Sequence, residues 1–192
     1  SAEQDQQYPQ VVPLRCQPGA EAREKRRAEL RCRIALCREA RLRTSFHFGA
    51  PYNAHGRYGD GPPNCLMDQK VSRRHELLLE VFAREFPGVD DQLVYTYDQD
   101  AWLCSEFGPC PRCLGIPLHE RLVPFLDCLA AKWRSLNPKG RLWWEPWELS
   151  AGQVLACAER VKPQGFGLAL HCNIAEVMGT FPVDRWLKNT AA

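Results

Sequence analysis

Tyr95-Thr96-Tyr97-Asp98-Gln99-Asp100-Ala101-Trp102-Leu103-Cys104, with Cys110-Pro111-Arg112-Cys113 shortly after, is the stretch on which the fold turns. It reads as the end of a buried strand (92–98), then two carboxylates, an aromatic, and a loop carrying three cysteines. An apolar-striped helix follows over 118–136, with Leu122, Phe125, Leu126 and Leu129 as its buried face. A strand, a loop rich in polar side chains and a helix make one β/α unit. Proteins built from such units keep their chemistry at the C-terminal ends of the strands.

The same unit recurs on either side. Residues 20–42 predict a helix whose apolar stripe is Leu30, Ile34 and Cys37, and 44–48 a short strand ended by Gly49-Ala50-Pro51. A loop with five breakers between Gly56 and Pro63 leads to a helix over 68–86, with Leu77, Leu78, Val81 and Phe82 inward. Beyond 118–136 come a third strand at 141–147, a helix at 150–161 N-capped by Ser150, and a fourth strand at 166–172. Residues 1–19, broken by Pro9, Pro13, Pro18 and Gly19, predict coil, and 173–192 a loop and part of another helix.

The order αβαβαβαβ argues for a single α/β domain with a parallel sheet of about four strands and right-handed crossovers. An open sheet and a barrel both satisfy it. No strand is followed by the glycine-rich turn of a dinucleotide-binding fold. A complete barrel needs eight strands and about 250 residues, so at 192 residues a barrel of this kind is a partial one, with coil at 1–19 and alternating elements over 20–192.

Composition narrows the class of function. The chain is 45% apolar and 25% charged, with a formal net charge of +2. That balance gives no general pull toward nucleic acid or membrane. No apolar run approaches ~18 residues, so no transmembrane helix is expected, and the polar N-terminus has no apolar signal core. A soluble protein of unspecified location is expected. Between Glu21 and Arg43 nine basic residues face four acidic ones, which predicts a solvated outer helix. Ten cysteines lie below the ~8–10% density of a disulfide scaffold. Cys32, Cys37, Cys128 and Cys157 fall in predicted helices and Cys172 in a strand, where buried free thiols are expected.

Four clusters can carry chemistry. Asp98 and Asp100 share a face if the strand continues, and paired carboxylates raise one of their pKa values, as a general acid requires. Trp143-Trp144-Glu145-Pro146-Trp147-Glu148 packs three Trp and two Glu into six residues. Trp rings stack on the apolar faces of sugars and carboxylates bind hydroxyls, so Trp102, Trp143, Trp147 and Glu148 are substrate-binding candidates and Glu145 a second catalytic carboxylate. His171 and Asn173 after the fourth strand, and His47 and Tyr52 around the end of the first, are further hydroxyl ligands. Lastly, Cys110-x2-Cys113 has the spacer of two thiolates on one tetrahedral zinc. Cys104 and Cys65, from the neighbouring loop, complete a closed four-cysteine site, which would be structural. Disulfides or free thiols are the alternatives.

Taken together these motifs resemble the catalytic barrel of a group of bacterial glycoside hydrolases that includes α-glucuronidase-like and hexosaminidase-like barrels. The resemblance is to an uncharacterised branch whose central strand is followed by an acidic pair, Trp, Cys and Cys-Pro-x-Cys, here Asp98, Asp100, Trp102, Cys104 and Cys110 to Cys113, with Cys65 before the preceding helix. It covers roughly 40–180. It implies a (β/α)8 fold and hydrolysis of a glycosidic bond, with no catalytic cofactor, a carbohydrate substrate, and a missing barrel half or a second copy as partner. Asp98-Gln99-Asp100 is not the adjacent Asp-Glu pair of hexosaminidases, so substrate-assisted chemistry is not implied. A non-catalytic carbohydrate-binding module and a zinc-stabilised interaction domain are the alternatives.

Overall fold

The computed structural model describes residues 20–51, 65–96, 103–146 and 149–170. Among the described residues four helices alternate with four strands: α1 (Ala20–Glu39), β1 (Ser45–Gly49), α2 (Gln69–Glu85), β2 (Asp91–Tyr95), α3 (Leu118–Leu136), β3 (Leu142–Glu145), α4 (Ala151–Ala158) and β4 (Phe166–Leu168). All strand pairs are parallel, in the order β1-β2-β3-β4. This is a partial parallel β/α fold. A monotonic order lacks the reversal that creates the crevice of doubly wound sheets. Crossovers of one hand in such an order lay α2, α3 and α4 on the same side of the sheet.

Strand alternation then sorts the side chains. Phe48, Val94, Leu142 and Trp144 join Leu79, Phe82, Leu122, Leu126 and Val154 from the helices in one core. Phe46 meets Phe82 with ring centroids 4.5 Å apart. Trp144, fully buried, donates its indole N–H to the Thr96 hydroxyl at 2.9 Å, so its burial leaves no unpaired donor. The opposite face carries two registered rows, His47-Leu93-Trp143-Gly167 and Gly49-Tyr95-Glu145. Aromatic rings lean over bare glycines in both, as large and small residues alternate inside small barrels. A Cβ on Gly49 would lie 2.6 Å from the Tyr95 ring. Gly49→Ala is expected to cost about 1–3 kcal/mol through overpacking, read as a lowered midpoint in urea.

Local chemistry sets the boundaries. Asp68 caps α2, accepting from Lys70 N at 3.0 Å. Ser150 and Gln153 form a reciprocal capping box on α4. The third strand stops at Glu145, because Pro146 has no N–H to continue the ladder. The described part of the fourth strand ends at Leu168, short of the expected 172, and α4 ends at Ala158 instead of 161. Two side-chain expectations are corrected. Leu77 is 52% exposed. The buried arc of α2 runs through Val71, His75, Leu78, Leu79 and Phe82, and Leu77 sits about 100° off Leu78, on its outer side. Cys32 is exposed, because the described part of α1 turns Ile34, flanked by a partly buried Leu30, toward the core.

His75 takes a place a leucine would normally hold. It is buried, meets Phe125 edge-on at 5.3 Å, and its Nδ1 lies 2.8 Å from Val71 O. Burial lowers its pKa to about 4. A histidine that stays neutral when folded and charges when unfolded gives stability that is complete above the unfolded pKa near 6.5 and lost as pH falls through 4. Unfolding free energy should fall by roughly 2 kcal/mol between pH 7 and pH 5 from this group alone. His75→Gln should flatten that part of the pH profile.

Candidate metal centre and strand-end carboxylate

The cysteines come from two strand-end loops. Cys65 precedes α2 and accepts, through its carbonyl, the N–H of the cap residue Asp68 at 2.9 Å. Cys104, Cys110 and Cys113 lie on the loop between β2 and α3. Cys110 O accepts from both Cys113 N (3.1 Å) and Leu114 N (3.0 Å), a tight turn that aims two sulfurs the same way. The four Sγ atoms all lie within 4.8 Å of one another. Cys65 Sγ is 3.3 Å from Cys113 Sγ and 3.7 Å from Cys110 Sγ. Four thiolates at 2.3 Å from a tetrahedral ion would be about 3.8 Å apart, so the set fits a single ion such as zinc. It is too tight for a multi-iron cluster between the sulfurs.

The electrostatics point the same way. Burial pushes the Cys113 thiol up to about 11, and the hydrogen bonds to Cys65 and Cys110 add to that. Burial likewise raises Cys104, aided by the neighbouring sulfurs. At Cys110 burial also acts upward, but the Arg112 backbone N–H and the surrounding thiols outweigh it and bring the group down to about 7. Thiols gathered this closely cannot all ionise unaided, whereas a divalent cation removes their protons outright. Asp68 ties the two loops a second time. Its carboxylate takes the Lys70 backbone N–H and, at 2.9 Å, the Arg112 guanidinium, which together hold its pKa below the usual value.

The carboxylate lies along the same C-terminal edge. Glu145, 7% exposed, ends β3, and its Oε2 is 2.9 Å from His47 Nε2 on β1. The Tyr95 ring of the intervening strand stands edge-on to His47, with centroids 4.9 Å apart. The three strand ends therefore present an acid, a phenol and an imidazole together. Trp143 is tied at the other end of the sheet. Its indole N–H donates to Asp91 Oδ2 at 3.2 Å, and the Arg141 guanidinium lies over its ring at 5.8 Å. Asp98, Asp100, Trp102, Tyr52, Trp147, Glu148, His171 and Asn173 lie outside the described residues, as does Cys172.

Two groups at the metal loop have no place in the sequence-based candidates. Arg121 is 3% exposed and donates to Cys104 O at 2.5 Å and Ile116 O at 2.9 Å, bracing both ends of the loop from α3. Glu106, within the loop, lies 4.0 Å from its Nη2. An arginine set among Leu118, Leu122 and Phe125, on the apolar stripe, was the available signal for it. Comparison with protein families, with curated proteins and with solved structures finds no match to this chain.

Proposed function

We propose that the chain is the catalytic-barrel region of a glycoside hydrolase whose strand-end loops are clasped by one structural zinc. The observation that carries this is Glu145: a buried carboxylate at the C-terminal end of a parallel strand, bonded to His47 from two strands away. In β/α barrels that edge is where substrates are bound and acids act. Glu145 serves as base or nucleophile, with Asp98 or Asp100 as the general acid and Trp102 and Trp147 as the sugar platform, while Trp143 is held by Asp91 at the opposite end of the sheet. Carboxyl groups ~5–5.5 Å apart would retain the anomeric configuration, and ~6.5–9.5 Å would invert it.

Cys65, Cys104, Cys110 and Cys113 would hold the zinc. Four thiolates would complete its coordination, so it would serve to pin the loops after β1 and β2 in one arrangement. His47, flanked by the Tyr95 ring, orients the Glu145 carboxylate, and the low exposure of that carboxylate strengthens its interaction with a bound hydroxyl.

The test is release of reducing ends from a panel of plant, bacterial and chitinous polysaccharides by the complete protein, with the anomer followed by NMR. One substrate class should be cleaved. If none is cleaved by zinc-replete protein, yet one retards it in an affinity gel, the chain is a carbohydrate-binding module. If none does either, the cysteine centre stands alone as the clasp of an interaction domain.

A further inference from the structure

A cavity of about 260 Å³ opens between the β2–α3 loop and the start of α4, walled by Leu103, Phe107 and Leu149 and lined by Glu106, Arg121 and Gln153. We propose that it is a sugar subsite that binds a vicinal diol of one neutral ring, a reading that rests on the carbohydrate function above and adds a site separate from Glu145.

The polar groups are the first argument. Arg121 spends Nε and Nη1 on the loop carbonyls. Its Nη2 has no hydrogen-bond acceptor among the described residues, since Glu106 Oε2 stands off at 4.0 Å. The Nη2 donors thus face the cavity across from the Glu106 carboxylate, where an entering hydroxyl can accept from them. Gln153 uses Oε1 on Ser150 N and Oγ, at 2.9 and 3.1 Å, and its amide N–H pair has no acceptor among the described residues. Glu106 supplies the acceptor. Two adjacent hydroxyls can accept from Arg121 and Gln153 while donating to Glu106, bridging the 4.0 Å gap that no direct hydrogen bond closes.

The second argument is charge. A carboxylate or phosphate ligand would meet Arg121 but also the Glu106 carboxylate beside it, and like charges there are penalised. A neutral diol satisfies the pair without adding charge. The third is shape. Phe107 is 86% exposed on a loop held by the cysteine cluster. An aromatic face at the mouth of a small cavity with convergent polar groups is the arrangement of a ligand site, and it suits the C–H face of a pyranose.

The experiment uses the full zinc-replete chain, isotope-labelled, titrated with millimolar D-glucose, D-galactose, D-mannose and D-xylose in turn. At least one should shift the Gln153 side-chain amide and the Phe107 ring signals and show saturation transfer to its ring protons. Phe107→Ala, at an exposed position, and Glu106→Gln should each weaken that binding about tenfold or more, the first through loss of the ring the sugar face packs on and the second through loss of a charged hydrogen bond. Glu145→Gln should leave it unchanged. If no sugar of the four shifts the cavity signals, or if binding survives both cavity substitutions, the proposal falls. Cavity binding that persists in a protein without hydrolytic activity would remove the catalytic reading and leave the subsite standing.

Discussion

Glu145→Gln is expected to lower hydrolytic turnover by about 10²–10⁴-fold, the usual contribution of a positioned acid or base, with little change in melting temperature. The side chain is buried and bonded to His47 Nε2 at 2.9 Å, so a substitution that keeps its volume and an acceptor oxygen preserves the packing. What the amide cannot do is take a proton or attack an anomeric carbon. His47→Gln should have a smaller effect, about tenfold, because it loses one orienting hydrogen bond. It should act on kcat more than on KM if Glu145 works in the transition state. A fully active Glu145→Gln protein would exclude this carboxylate from the chemistry. An equal fall in stability and activity would assign it a packing role.

Cys113→Ser is expected to abolish metal binding. Cys113 is fully buried and its sulfur lies 3.3 Å from that of Cys65, so a hydroxyl there is a hard, protonated donor in a soft tetrahedral set. Wild-type protein should carry one zinc per chain by elemental analysis, and the variant none. Metal held about a thousandfold above its dissociation constant stabilises by about 4 kcal/mol. For a domain of this size that is roughly 10 °C in melting temperature. Chelator should reproduce that fall in wild type and do nothing further in the variant. Cys32→Ser, at an exposed thiol far along α1, should change neither quantity. Chelator insensitivity, with two hydrogens missing per cysteine pair by mass, would replace the metal with disulfides.

Much of the architecture was legible in the chain, for physical reasons. Leu122, Phe125, Leu126 and Leu129 mark the inner face of α3 by helical period alone, and Ser150 announces α4 because its side chain satisfies a helix-end N–H. The Cys110-x2-Cys113 turn is a local device, so its spacing carried the metal expectation. Leu77 and His75 were less legible. Which part of an apolar arc faces the sheet depends on where α3 lies, and a buried histidine is accepted where partners such as Val71 O and Phe125 receive it.

Alone, the sequence determined the alternation of helix and strand, the punctuation between them, and the identity of the cysteines that could share an ion. These are consequences of residue period, capping chemistry and turn preference, all set within a few positions. Only the tertiary structure decided the monotonic strand order, the meeting of Glu145 with His47 across β2, and the closure of Cys65 on a loop nearly forty residues later. It also placed Arg121 under that loop. Such contacts join segments whose local preferences carry no record of each other. They follow from register and packing, where a one-residue slip would turn Glu145 toward the helices and His47 away from it.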